Sequence, residues 1–382
     1  MKTVMVVYGT RPEGIKVAPV IHALENSATL KPVVVSTGQH REMLEQVNAL
    51  FGITPDIELD IFEHGQGLNQ IAAKIFNRLD PVLAEHEPDA LLVQGDTSTV
   101  AIAAIAAFYR DIPVVHLEAG LRSGDLFSPF PEEANRKLTS QVASLHLAPT
   151  SRSKQNLLDE GISEGDVTVT GNTVIDALLY AVDADIEITD AKLKEALDSG
   201  RRILLVTSHR RENLGEPMRD IAQALKEISS RYPDDLIVFP VHRNPKVREV
   251  FAPYLSEQEN VVILDPLDYP QFTQVTKAAH IVLTDSGGVQ EEAPSLGKPV
   301  LVMRENTERP EAADAGTVRL IGTDTERIIS EVCELKDDPE AYARMSNAVN
   351  PYGDGKAAER CVAAIEQLLG IGERIPEFTP ES

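Results

Sequence analysis

TDSGGVQEEAPSLGKP, residues 284–299, follows directly on a short apolar run at 278–283. An apolar strand entering an acid-Ser-Gly-Gly turn, with a helix-compatible stretch at 289–296 behind it, forms the mouth of a phosphate site. Gly287 and Gly288 carry no side chain, so the backbone can turn sharply and a bulky anion can reach its N–H groups. The free N–H groups and positive dipole end of the following helix favour the same ligand. Glu291 and Glu292 fall in the first turn of that predicted helix, where the dipole favours them, yet a carboxylate beside a diphosphate repels it. At least one of the two therefore points elsewhere, and the vicinal hydroxyls of a ribose suit it. The same letters also fit a plain strand-to-helix turn capped by Ser286.

Outward from this stretch, apolar runs alternate with helical patterns. In the second half they lie at 203–207, 236–241, 261–264, 281–284 and 299–303, with helices predicted at 218–232, 271–278 and 290–296. The first half repeats the scheme, with strands at 4–8, 32–37, 90–94, 113–117, 146–149 and 167–170 and helices between them. Such alternation predicts an α/β protein with parallel sheets covered on both faces. Two alternating halves predict two doubly wound, Rossmann-like domains facing across a cleft, at 1–171 and 172–370. Residues 371–382 read as a frayed tail. The last helix, about 356–370, is a candidate to pack back on the first half, a point that pattern alone does not decide. Ligand-binding loops belong at the carboxyl ends of the strands.

The chain has 382 residues, 42% apolar and 25% charged, the composition of a globular protein of two ordinary domains. Its net charge of -24 opposes nonspecific binding to nucleic acid or an anionic membrane. An anionic substrate must then be held by local cations and N–H dipoles. Cys333 and Cys361 are the only cysteines, without metal or disulfide spacing, as in a reducing compartment. The first apolar run is broken by Gly9, too short for a signal or a membrane span, so a cytoplasmic location is expected. No metal-ligand pattern occurs, and GTRPEGIK (9–16) lacks the ending of a Walker loop.

The expected strand ends gather polar groups. Thr10, Arg11, Glu13 and Lys16 follow the first strand, Asp96 and Thr97 the run at 90–94, and Glu118 and Arg122 the run at 113–117. From the second half come His209, Arg210, Arg211, His242, Arg243, Ser286, Arg304 and Arg309. Each has a dull alternative: a solvated arginine, a satisfied loop histidine, or, for Glu132 and Glu133, an acidic pair on a helix dipole. Their joint recurrence at strand ends favours a working site. Carboxylates dominate the first half, while cations and N–H groups dominate the second. The division points to a diphosphate on the second half and proton transfer on the first, with neighbouring acids tuning one another.

GTRPEGIK (9–16), QGDTSTV (94–100), HLEAGLRSGD (116–125), FPEEANR (130–136), TSHRREN (207–213), PVHRNP (240–245) and the stretch 284–311 together resemble the non-hydrolysing UDP-N-acetylglucosamine 2-epimerases, in order and over nearly the whole chain. The resemblance implies a two-domain GT-B architecture, a homodimer, and interconversion of UDP-GlcNAc and UDP-ManNAc without added cofactor. It implies acid/base roles for Asp96, Glu118 and Glu132, without saying which serves which face of C2, and a role for His209 in the departure of UDP. Arg11, Lys16 and Arg136 resemble residues that orient substrate or balance the acids. Ser286, Gly287 and Gly288 match the diphosphate site, Glu292 the ribose site, and Arg309 and His242 the nucleotide side.

Some relatives are activated by a second UDP-GlcNAc at a QHRQ segment, whose counterpart here is Gln39, His40, Arg41 and Glu42. Glu42 places a carboxylate where the neutral amide would be, which opposes an anionic effector. Initial rates with UDP-ManNAc are therefore expected to depend little on added UDP-GlcNAc. The rival readings are a hydrolysing epimerase releasing ManNAc and UDP, a GT-B glycosyltransferase, and an inactive nucleotide-sugar sensor.

Overall fold

The computed structural model describes residues 1–380 other than 40, 64, 211, 212, 242 and 308, with the side chains of 41–43 also outside the description. The chain divides into two units, Met1–Leu179 with Tyr352–Pro380, and Tyr180–Pro351.

Unit 1 runs β1 (Lys2–Tyr8), α1 (Arg11–Glu25), β2 (Leu30–Ser36), α2 (Arg41–Phe51), β3 (Ile57–Glu58), α3 (Leu68–His86), β4 (Ala90–Gln94) and α4 (Ser98–Phe108). It continues with β5 (Val114–Leu117), α5 (Glu132–Val142), β6 (Leu145–Ala148), α6 (Ser151–Asp159), β7 (Val167–Val169) and α7 (Thr173–Asp183). Among the described residues its strands form one parallel sheet of order β3-β2-β1-β4-β5-β6-β7. Met5, Val7, Leu91 and Val93 pack against the α3 stripe Ile71, Ile75, Leu79 and Leu83 and against the small residues of α4. Burial of each large aliphatic side chain there is worth roughly 1.5–3 kcal/mol.

Unit 2 contains α8 (Ala191–Asp198), β8 (Ile203–Thr207), α9 (Glu216–Arg231), β9 (Leu236–Pro240), α10 (Pro245–Leu255), β10 (Val261–Leu264), α11 (Tyr269–Ala278) and β11 (Ala279–Thr284). Then follow α12 (Gly287–Glu292), β12 (Val300–Val302), α13 (Pro310–Asp314), β13 (Val318–Leu320), α14 (Thr325–Asp337) and α15 (Pro339–Ser346). Its parallel sheet has the order β10-β9-β8-β11-β12-β13. The core joins Leu204, Val206 and Phe239 to Met218, Ile221, Leu225 and Ile228 of α9, with Phe239 and Phe251 in an edge-on contact at 4.8 Å.

Each sheet reverses its winding once, between β1 and β4 in unit 1 and between β8 and β11 in unit 2. Loops from such strand pairs splay apart and leave a crevice for a ligand. The division between units falls inside α7, after Leu179, rather than at Gly171. The last helix, α16 (Ala357–Leu368), belongs to unit 1 and packs on α1.

Two expectations are corrected. The tail is not frayed over its described length: Phe378 is buried, its N–H donates to Val169 O at 2.8 Å, and Arg374 donates to Val167 O and Gly165 O. These contacts cover the edge strand β7, whose polar groups would otherwise lack partners. The helix after the Gly-Gly turn starts at Gly287, not at 289, so Glu291 and Glu292 lie at its end rather than in its first turn. Pro294, which has no N–H to donate, stands in the 3-10 turn Ala293–Leu296 that follows.

The polar stretch 183–202 also holds an element of its own. Asp190 caps α8 by accepting from Lys192 N–H and Leu193 N–H, and Leu193 and Ala196 are its buried residues. Two apolar positions leave too little pattern for a sequence reading.

Candidate active site

In unit 1, the loop after β1 is bound to the loop after β4 by one buried carboxylate. Glu13 accepts from Gly9 N–H at 2.7 Å, Thr10 N–H at 2.8 Å and the Thr97 hydroxyl. Burial pushes its proton affinity up against these hydrogen bonds. A Cβ at Gly9 would stand 1.9 Å from Thr37 Oγ1, so the loop can follow this course only with glycine there.

Glu118 follows β5 with φ 63, a left-handed conformation that costs a non-glycine residue of order 1–3 kcal/mol. Its carboxylate is clamped. Lys16 Nζ donates to Oε1 at 2.5 Å, Asn172 Nδ2 to the same oxygen at 3.1 Å, and Gln94 Nε2 to Oε2. Asp96 follows β4, and its Oδ2 accepts from Arg136 Nη2 at 2.6 Å, while its backbone carbonyl accepts from Asn135. The same guanidinium donates to Glu133 at 3.0 Å.

Glu132 and Glu133 begin α5 but differ in state. Glu133 is fully buried and accepts from Ser123 N–H and Gly124 N–H as well as from Arg136. Burial opposes its charge, but these donors prevail and hold its carboxyl below the usual range. Glu132 is half-buried and makes no side-chain hydrogen bond or ion pair among the described residues. Beneath the Asp96 loop, His116 is buried with Nε2 2.7 Å from Gly95 O, and burial pushes its imidazole down to about 4.

In unit 2, Asp285 follows β11 and organises the loop after β8. Its buried Oδ2 accepts from His209 N–H and Arg210 N–H, each at 2.9 Å, from Asn213 Nδ2 at 3.1 Å and from the Ser208 hydroxyl at 3.3 Å. Its Oδ1 faces His209 Nδ1 at 3.1 Å, leaving the imidazole about half exposed. Burial raises the cost of this charge, yet His209 and the backbone donors hold the carboxyl below its ordinary value.

Ser286 caps α12 by backbone geometry. Arg309 lies over Gly287, where a Cβ would stand 2.7 Å from its Nη1, and its Nε donates to the buried carboxylate of Glu291. Glu291 is thus the acid taken up by the arginine that covers the glycine turn. The Glu292 carboxylate lies on the Gly288 side, and its charge and burial together push the Tyr269 phenol up, burial being the larger cause.

The structure therefore brings together Lys16 with Glu118, Asp96 with Arg136, and Gly287 with Arg309. Arg11 is exposed and makes no side-chain hydrogen bond or ion pair among the described residues. Gln39 is half-buried and accepts from Thr99 at 3.2 Å. His242 and His40 lie outside the described residues, as does the side chain of Glu42. Asn172, Gln94 and Asp285 escape a sequence reading as site residues, while Glu13 enters it only among the polar groups after the first strand. For Asp285 and Gln94 the signal was position, since each closes or follows a strand at a switch point.

Among the described residues no group of His, Cys, Asp and Glu is placed to hold a metal ion, and no helix is long and apolar enough to cross a membrane.

Two doubly wound parallel sheets, each carrying polar loops at its switch point, define an α/β protein of GT-B type. The family described as UDP-N-acetylglucosamine 2-epimerase matches residues 22–366. The UDP-N-acetylglucosamine 2-epimerase of Salmonella typhimurium is 52% identical over 368 residues, covering 95% of this chain and 98% of that one. A crystal structure from Listeria monocytogenes, assigned to the same activity, superposes with a TM-score of 0.94 at 45% identity, covering 99% of this chain and 100% of that one. The Neisseria meningitidis UDP-GlcNAc 2-epimerase bound to UDP-GlcNAc gives 0.83 at 46% identity, with 96% and 100% covered. The chain belongs to the UDP-N-acetylglucosamine 2-epimerase family.

Proposed function

We propose that this protein interconverts UDP-GlcNAc and UDP-ManNAc at C2 without net hydrolysis. Elimination comes first: a carboxylate takes the C2 proton, the C1–O bond breaks with its electron pair passing to the diphosphate, and a C1–C2 double bond forms. The products, 2-acetamidoglucal and UDP, recombine with protonation on the opposite face. The Neisseria relative bound to UDP-GlcNAc supports the substrate class.

The observation that carries the reading is the unequal state of three carboxylates beside β4, β5 and the start of α5. Glu118 is clamped by a lysine and two amides, Asp96 is paired with Arg136, and Glu132 is unpaired among the described residues. Carboxylates in different environments can divide acid and base duties at one pH. In this reading His209 assists the departing diphosphate, and Ser286, Gly287 and Gly288 bind it. Glu292 takes the ribose hydroxyls, Arg309 and His242 serve the nucleotide, and Arg11, Lys16 and Arg136 orient substrate or balance the acids. The enzyme is proposed to act as a cytoplasmic homodimer with no added cofactor.

Incubation with UDP-GlcNAc in deuterated water tests this directly. Deuterium is expected at C2 of the UDP-sugar pool, with UDP-ManNAc formed. An unlabelled pool with free ManNAc accumulating would select hydrolysis instead.

A further inference from the structure

Asn172 is nearly fully buried, and its polar contacts are of different kinds. Its Nδ2 donates to Glu118 Oε1 at 3.1 Å, its Oδ1 accepts from Val174 N–H at 3.1 Å at the start of α7, and its own N–H donates to Tyr352 O at 2.6 Å. α7 is where the chain leaves unit 1, and Tyr352 is where it returns. The returning segment has no slack. A Cβ at Gly353 would stand 3.1 Å from Ile175 Cγ1 and 3.4 Å from Asn172 O. One residue therefore ties both passages of chain to a carboxylate that also contacts Lys16 and Gln94, the return through its backbone N–H and the start of α7 and Glu118 through its side chain.

Only an amide of this length meets both demands. It needs an N–H donor toward Glu118 and a carbonyl acceptor toward the helix start. Aspartate keeps the cap and loses the donor, and serine keeps a cap but lacks the reach.

We propose that Asn172 is a positioning residue for the epimerisation, fixing the pose and ionisation of Glu118 against the two segments through which the chain passes between its units. This rests on the reading of Glu118 as an acid/base group.

Asn172→Asp and Asn172→Ser separate the roles, because both retain a helix cap. Both are expected to remain folded at the assay temperature, Asn172→Asp melting lower than Asn172→Ser because it sets a second carboxylate beside that of Glu118, and to bind UDP with wild-type affinity by calorimetry. Turnover should fall about tenfold in Asn172→Ser and about a hundredfold in Asn172→Asp, within the range of a misplaced acid/base group. In Asn172→Asp the acid limb of kcat should move to higher pH, since a second carboxylate disfavours the charged form of its neighbour. Raising the pH should then restore part of the rate with KM little changed.

Wild-type kcat and pH profile in both variants would overturn the proposal, as would a rate loss that only follows lost folding. Deuterium exchange at C2 in the wild-type enzyme is measured alongside. No label in the wild type overturns the epimerisation reading itself, whereas a labelled wild type with unaffected variants overturns only the role of Asn172.

Discussion

His209 Nδ1 lies 3.1 Å from Asp285 Oδ1, and the other oxygen of that carboxylate is filled by the backbone N–H groups of His209 and Arg210 and by Asn213 and Ser208. One buried acid thus folds the loop that carries the imidazole and also faces its inner nitrogen. A carboxylate there favours a proton on Nδ1, which leaves Nε2 as the outward nitrogen.

Asp285→Asn is expected to reverse that choice. Four donors converge on the Oδ2 position, so the new amide must place its oxygen there and its NH2 against His209. Nδ1 then becomes the acceptor. Turnover should drop by about a hundredfold or more, as when an orienting acid is neutralised beside a working histidine. Steady-state kinetics with UDP-GlcNAc measures it, and unchanged kcat would remove Asp285 from the mechanism.

Glu132 and Glu133 should respond in opposite ways. Glu133→Gln keeps one of the two buried oxygens that accept from three donors, turns an NH2 group against the rest, and should cost about 1–3 kcal/mol, lowering the melting temperature by several degrees. Glu132→Gln disturbs no hydrogen bond or ion pair among the described residues and should melt like wild type while losing turnover. Melting curves and kcat on the same two samples decide it.

Gly287→Ala would drive a methyl group to 2.7 Å from Arg309 Nη1. The guanidinium cannot simply swing away without giving up its ion pair with the buried Glu291 carboxylate, which is costly. UDP binding measured by calorimetry should weaken about tenfold or more, since a 1.4 kcal/mol loss already does so. Wild-type affinity would mean that the turn tolerates a side chain and that Arg309 does not depend on it.

His116 and His146 are register partners on β5 and β6, both buried, and burial pushes each imidazole down to about 4. Because the folded value lies below the unfolded one of about 6.5, their neutral forms stabilise the fold above that pH, and this is lost as pH falls toward about 4. His146→Gln should therefore lose less melting temperature than wild type between about pH 6.5 and 4. Parallel curves for the two proteins would assign the acid sensitivity elsewhere.

The alternation of apolar runs and helical stretches was enough to read two parallel, doubly wound sheets, because period and length survive in the letters. It was also enough to single out Asp96, Glu118, Ser286 and His209 as candidates, since each stands within two residues of a strand end. The short strands Ile57–Glu58 and Val318–Leu320 carried too few residues to register. Helices α10, α14 and α15 were passed over because mixed charge dilutes their apolar faces.

By itself the sequence determined the sheets, the candidate residues at the strand ends, and the family. Tertiary structure decided what each acid does. Glu13 and Asp285 became staples across a switch point, Glu133 a buried anchor, and Glu118 a clamped carboxylate held by Asn172, a residue 54 positions away. A carboxylate's role depends on which donors surround it and how much water is excluded, and those neighbours are assembled only when distant strands are laid side by side.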